Sequence, residues 1–258
     1  MHKKLKKLTN QLLSRLGYQL ISSRVDKFDA VIAADKRFLD IYEASKGYTM
    51  TSMLRCYALY QGVKYVIQND IPGDFVECGV WRGGSAMLIA MTAKSLGATD
   101  RKIYLYDTFS GMSEPTAVDV AVEDKEVRAS ERWSKEERSD RNDWCYANVA
   151  DVRNNLKQTG YPEDKFVLIE GKVEDTLPSQ SPEAIALLRL DTDWYESTKH
   201  ELRHLYQRLS EHGVLIIDDY GSWAGAKKAV DEYFSEQPAL LNRVDSSCRL
   251  IVKVNNNG

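Results

Sequence analysis

A chain of 258 residues, 43% hydrophobic and 28% charged, has the length of one large α/β domain and enough apolar material to bury its core. Disordered, collagen-like and low-complexity classes are excluded. With 35 Lys and Arg against 38 Asp and Glu the net charge is −3, so there is no global positive field to hold a polyphosphate and nucleic acid is set aside as a partner.

Residues 1–24 carry Lys3, Lys4, Lys6, Lys7, Arg15 and Arg24 with no acid before Asp26, and Leu5, Leu8, Leu12 and Leu16 recur at helical spacing. This predicts a basic amphipathic helix, either an arm packed on the domain or a sister subunit, or a peripheral contact with anionic lipid. Asn10, Gln11, Ser14 and Arg15 interrupt the apolar stretch, which fits a signal peptide poorly. No run approaches the roughly 18 apolar residues of a membrane span. Four cysteines, at 56, 78, 145 and 248, form no CxxC pair or cluster, which points to reduced thiols and a cytoplasmic protein.

Residues 30–70 read as helices, with an apolar-periodic stretch through Met53, Leu59 and Val66 that stops before Ile71-Pro72-Gly73. The period then changes. Strand patterns occupy residues 74–79, 102–106, 166–169, 185–190, 214–217 and 250–254. Helical patterns alternate with them at 85–96, 195–209 and 224–234, which predicts parallel pairing through helical crossovers and a doubly wound α/β sheet. Ligands of such sheets bind beyond the carboxyl ends of the strands. One stretch breaks the rhythm: 15 of the 25 residues from Asp119 to Asp143 are charged where a short connection would serve. It reads as an insertion over the site, either a solvated surface helix or a lid.

Glu77-Cys78-Gly79-Val80-Trp81-Arg82-Gly83-Gly84-Ser85 runs from the end of the first strand into a helix. Glycines there let backbone N–H groups approach a ligand, and a helix start favours a carboxylate, although a plain structural turn has the same composition. Asp107, ending the second strand, can accept both hydroxyls of a ribose, so the pair describes a nucleoside-cofactor site. The glycine spacing departs from G-x-G-x-x-G, which disfavours NAD. An NAD-dependent oxidoreductase and a non-catalytic nucleotide-binding Rossmann-like module remain as alternatives.

Asp191 and Asp193 follow the fourth strand, and Asp218 and Asp219 the fifth. Neighbouring strands would bring these acids to one rim, where clustered carboxylates repel unless a proton or cation intervenes; oxygen ligands suit Mg²⁺ or Mn²⁺. Helix N-caps are the plain alternative. His200-Glu201-Leu202-Arg203-His204 matches the zinc-peptidase pattern, but Leu202, Leu205 and Leu209 mark that helix's buried stripe and put both histidines on the solvent side, so the match is read as accidental.

Gly73–Ser85, Tyr106-Asp107-Thr108-Phe109-Ser110-Gly111-Met112, Leu190–Thr198 and Ile217-Asp218-Asp219-Tyr220-Gly221 together resemble the macrocin O-methyltransferase family, over residues 45 to 235. The resemblance implies a class I methyltransferase fold with a mostly parallel seven-stranded sheet, S-adenosylmethionine as donor, a divalent metal, a sugar hydroxyl of a natural product or glycan as acceptor, and an oligomer. Residues 1–70 would then be a helical arm and cofactor cover, and 71–258 the methyltransferase domain, with a lid insertion at about 112–145. Glu77, Gly79, Trp81, Gly83 and Ser85 match the loop around the methionine moiety, with Ser85 near its carboxylate. Asp107, next to Thr108, matches the ribose acid; Val173 and Glu174 match positions flanking adenine; Tyr48, Met50, Thr51 and Ser52 match the covering segment. Asp191, Asp218 and Asp219 match the metal ligands, and Asp191 also matches the general base, a role for which Asp193 competes.

Overall fold

The computed structural model describes residues 30–254, so the basic helix expected over residues 1–24 lies outside the described residues. By compactness the chain divides into residues 1–39 and 40–258. In the first unit the described part is α1 (Ala30–Ala34) and the opening of α2 (Lys36–Ser45), where the Asp35 carboxylate accepts the Phe38 N–H at 3.0 Å.

The second unit is built on seven strands in the order β3-β2-β1-β4-β5-β7-β6. β1 (Asp74–Cys78), β2 (Ile103–Asp107), β3 (Phe166–Glu170), β4 (Ile185–Leu190) and β5 (Leu209–Ile217) pair in parallel. Helices supply the crossovers: α3 (Met53–Gln68) precedes β1, α4 (Gly84–Ser95) joins it to β2, and α5 (Ala129–Glu136) and α6 (Val149–Lys157) lie between β2 and β3. The short α7 (Val173–Thr176) follows β3, α8 (Tyr195–Leu205) follows β4, and α9 (Ala224–Glu236) follows β5. This is the seven-stranded, mostly parallel fold that the resemblance implied.

Two details differ from the sequence reading. β7 (Arg249–Val252) runs antiparallel to β5, because the chain after α9 returns through the two-residue strand β6 (Asn242–Arg243) and a tight turn instead of a helical crossover. The helix expected over 195–209 ends at Leu205; a 3₁₀ turn follows, and Leu209 opens β5.

Alternation along the strands sorts side chains between two faces. Val76, Cys78, Leu188, Leu190, Leu215 and Ile217 meet Leu202 and Leu205 of α8 and Val230 and Phe234 of α9 on one face. Each such aliphatic side chain contributes about 1.5–3 kcal/mol by leaving water. On the other face α3 comes close enough that a Cβ on Gly62 would lie 3.2 Å from Leu187 and 3.4 Å from Val214. Arg189 shares this second face, in a strand whose six residues are all buried.

Candidate active site

The register brings the acids together. Leu190 pairs with Ile217, so Asp191 and the Asp218-Asp219 pair leave adjacent strands at the same rim. Asp191 continues the ladder: its N–H donates to the Cys78 carbonyl, and the Asp218 N–H donates to the Leu190 carbonyl, each at 2.9 Å. Gly79, at φ +83°, lies so close that a Cβ there would be 2.0 Å from the Asp191 carbonyl oxygen. Only glycine allows the β1 loop and the Asp191 backbone this approach.

A cavity of about 290 Å³ opens at this rim. Tyr48, Met50, Thr51, Gly79, Trp81, Ser85, Asp107, Asp191, Asp218 and Asp219 line it, so ten of the sequence-derived site residues share one space. Thr108, Val173 and Glu174 line a neighbouring cavity of about 60 Å³ that also touches Gly79, Asp107 and Asp191. Ser52, Glu77 and Gly83 line neither. Ser52 caps α3, accepting the Arg55 N–H at 3.3 Å, and Gly83 is the left-handed residue before α4. Glu77 is 1% exposed, beneath the floor.

Asp107 is occupied by backbone. Its Oδ2 accepts the N–H groups of Val80 (2.7 Å) and Trp81 (2.9 Å), and its Oδ1 that of Phe109 (2.8 Å). Burial raises its pKa, and these three N–H donors oppose the rise.

Beneath the acids sits a residue the sequence reading missed. Arg189 is register partner to Glu77, and its Nη1 donates to Glu77 Oε1 (2.8 Å) and pairs with Asp191 Oδ2 (2.7 Å). Its Nη2 donates to Asp218 Oδ1 and to Thr51 Oγ1, both at 2.9 Å. Arg55, from the first turn of α3, bonds Asp218 Oδ2 through Nη1 (2.5 Å) and Asp245 Oδ2 through Nε (2.7 Å). The available signal was a single charge inside the otherwise apolar strand Ile185–Leu190.

Arg189 pairs with Glu77, Asp191 and Asp218, Arg55 pairs with Asp218, and Arg132 lines the same cavity as Asp193 and Asp219, so carboxyls stay in excess of guanidiniums. Burial, opposed by Arg189 and reinforced by Asp218, pushes the Asp191 carboxyl up to about 7. Burial and the neighbouring Asp191 push Asp193 up to about 8. Burial and the same neighbours push Asp219 well above the carboxylate range. The residues fit a divalent cation: Asp191, Asp218 and Asp219 each offer an oxygen within 4.8 Å of the others, and Asp219 Oδ2 is buried without a partner. The plain N-cap reading fails, since Trp194 and Trp223 are the residues at those positions and neither makes a side-chain cap bond.

The charged insertion walls the cavity. Met112, Arg132, Trp144 and Cys145 line it, and the Trp133 indole N–H donates to the Met112 carbonyl at 2.8 Å. Trp144, Trp194 and Trp223 pack edge to face, with centroids 5.5 Å apart for Trp144 and Trp194 and 5.1 Å for Trp194 and Trp223. The zinc-peptidase pattern forms no such site. His200 and His204 are half-buried instead of solvent-facing, because His200 lies against the Leu177 carbonyl (3.3 Å), and Glu201 turns into the core to accept the Thr192 hydroxyl (3.1 Å).

The macrocin-O-methyltransferase (TylF) family model matches residues 3–251. The 8-demethyl-8-(2,3-dimethoxy-alpha-L-rhamnosyl)-tetracenomycin-C 4'-O-methyltransferase of Streptomyces olivaceus is 34% identical over 226 residues, spanning 88% of this chain and 82% of that protein. Among solved structures, the O-methyltransferase NovP superposes with a TM-score of 0.71 at 30% identity, covering 81% of this chain and 83% of its own. The calicheamicin methyltransferase CalS11 shares the fold, with a TM-score of 0.62 at 18% identity over 96% of this chain and 93% of its own. These likenesses set aside the NAD-dependent and non-catalytic readings, and the chain belongs to the macrocin O-methyltransferase family, as an S-adenosylmethionine-dependent O-methyltransferase.

Proposed function

We propose that the chain transfers the methyl group of S-adenosylmethionine to a sugar hydroxyl of a glycosylated small molecule, with Mg²⁺ or Mn²⁺ held by Asp191, Asp218 and Asp219. The carrying observation is the meeting of these three carboxylates in the wall of the cavity that Gly79, Trp81, Ser85 and Asp107 also line. The rhamnosyl group in the name of the Streptomyces olivaceus relative supports a sugar acceptor.

On this reading the loop Gly79 to Ser85 and the start of α4 take the donor's methionine end, where backbone N–H groups favour its carboxylate. Asp107, with backbone N–H groups on three of its lone pairs, has room to accept one ribose hydroxyl and not the two that the sequence reading gave it. Val173 and Glu174 flank adenine; Glu174 Oε2 is buried and unpartnered, which suits it to accept from an amino group. Tyr48, Met50 and Thr51 cover the donor, Ser52 being the cap of α3 behind them, and the acidic wall suits the positive sulfonium. A divalent cation, when bound, lowers the pKa of a coordinated hydroxyl and fixes its direction. Asp191, the most exposed of the three acids with 27% of its side chain accessible, takes the hydroxyl proton on its carboxylate. With the donor bound, the acceptor oxygen would need to lie about 3 Å from the methyl carbon and in line with the sulfur, which would leave as the neutral thioether.

The test is methyl transfer from labelled donor to a panel of glycosides and nucleotide sugars. Asp191→Asn should lower kcat by about 10²–10⁴-fold while donor affinity, measured by calorimetry, stays within about twofold. Chelator should abolish transfer, and added Mg²⁺ should restore it. Unchanged turnover in chelator would overturn the metal's role, and an active Asp191→Asn enzyme would overturn the base.

A further inference from the structure

Asp218 differs from its two neighbours in having both carboxylate oxygens already engaged by guanidiniums, Arg189 on Oδ1 and Arg55 on Oδ2. Asp219 Oδ2 has no partner, and Asp191 meets Arg189 through Oδ2 only. Any dication approaching Asp218 therefore meets the like charge of Arg55, whose side chain is 19% exposed and lines the same cavity. At a few ångströms in a partly dry site, like charges interact far more strongly than across open surface.

Arg55 is not needed to aim Asp218. The buried Arg189 already holds Oδ1, the Asp218 N–H donates to the Leu190 carbonyl, and its carbonyl accepts from Ser247 Oγ at 2.7 Å. Nor is Arg55 free to swing away. Asp245 Oδ2 grips its Nε, and Asp245 Oδ1 is itself tied to the backbone N–H groups of Ser247 (2.9 Å) and Cys248 (2.8 Å). The result is a positive charge anchored from behind and pointed at one ligand oxygen.

We propose that Arg55 is a tethered competitor for the divalent cation at Asp218, keeping metal binding weak until acceptor oxygens complete the cation's shell. This rests on the reading of Asp191, Asp218 and Asp219 as metal ligands, and the experiment separates the two. Mn²⁺ alone is titrated into wild-type protein, Arg55→Gln, Arg55→Lys and Asp191→Asn, and bound ion is counted by calorimetry and by loss of the free-ion paramagnetic resonance signal. Arg55→Gln should bind Mn²⁺ at least tenfold more tightly, about 1.4 kcal/mol. Arg55→Lys, which keeps the charge, should stay within about twofold of wild type. Equal or weaker binding by Arg55→Gln overturns the competition, and weaker binding, the sign opposite to the one proposed, makes Arg55 an orienting residue. Binding left intact by Asp191→Asn, or absent from wild type and Arg55→Gln alike, overturns the metal-ligand reading and the competition with it. Should Arg55→Gln fail to fold, Asp245→Asn answers the same question. Cut from its tether, Arg55 can swing off Asp218, so Mn²⁺ binding should tighten about threefold, and unchanged or weaker binding overturns the proposal.

Discussion

Asp107 shapes its surroundings before any ligand arrives, because three of its four strongest lone-pair directions already receive backbone N–H groups from the loops that follow β1 and β2. Trp81 and Phe109, two of those donors, sit at φ +48°, a conformation that side chains rarely adopt and that the carboxylate helps hold. Asp107→Ala should thus do two things: weaken donor binding in calorimetry at least tenfold, and lower unfolding free energy by about 2 kcal/mol, since buried N–H groups lose their acceptor. Unchanged donor affinity would count against the ribose assignment, whatever the stability. At this scale the sequence showed the strand-end acids plainly, since Asp107, Asp191, Asp218 and Asp219 each follow an apolar run. It did not show Arg189 and Arg55. Their partners lie far along the chain, 112 positions from Arg189 to Glu77 and 163 from Arg55 to Asp218, and no local pattern announces an ion pair of that separation.

At the scale of elements, the site depends on how closely β1 and β4 end against each other. The Gly79 backbone lies under the Asp191 carbonyl, and α4 starts against the backbone of Tyr48 and Thr49, 2.5–2.6 Å from where a Gly84 Cβ would be. Gly79→Ala should cost several kcal/mol, combining a clash with main chain and a left-handed φ, and should displace Asp191. The checks are thermal melting and methyl transfer; a variant with wild-type melting temperature and turnover would refute the close-approach argument. Strand and helix identities were legible because the period changes between them, and residues 185–190 appear as β4 with the same limits. The direction of β7 was not legible. A buried parallel strand and a buried antiparallel one carry the same apolar run, and the short return through β6 leaves almost no pattern in two residues.

For the whole molecule, packing so many acids beneath one cavity makes stability depend on pH. Folding raises the Asp191 carboxyl from 3.8 to about 7 and the Asp193 carboxyl from 3.8 to about 8. Between about pH 4 and pH 8 the folded protein therefore holds protons that the unfolded chain has released, so stability falls as pH rises through that window. In metal-free buffer the melting temperature should drop from pH 5 to pH 8, Asp193→Asn should flatten the slope, and saturating Mg²⁺ should recover stability at the alkaline end through binding to the folded state. A melting temperature that rises over this range would refute the buried-acid account. The sequence by itself determined the α/β class, the order of most elements, the glycine loop after β1 and the acids at the strand ends, because these are written in local period and composition. Tertiary structure alone decided that Arg189 lies opposite Glu77, that Arg55 reaches Asp218, and that β7 runs backwards. Each of those depends on register between distant segments, where charge pairing and close backbone approach select among arrangements that the local sequence leaves equal.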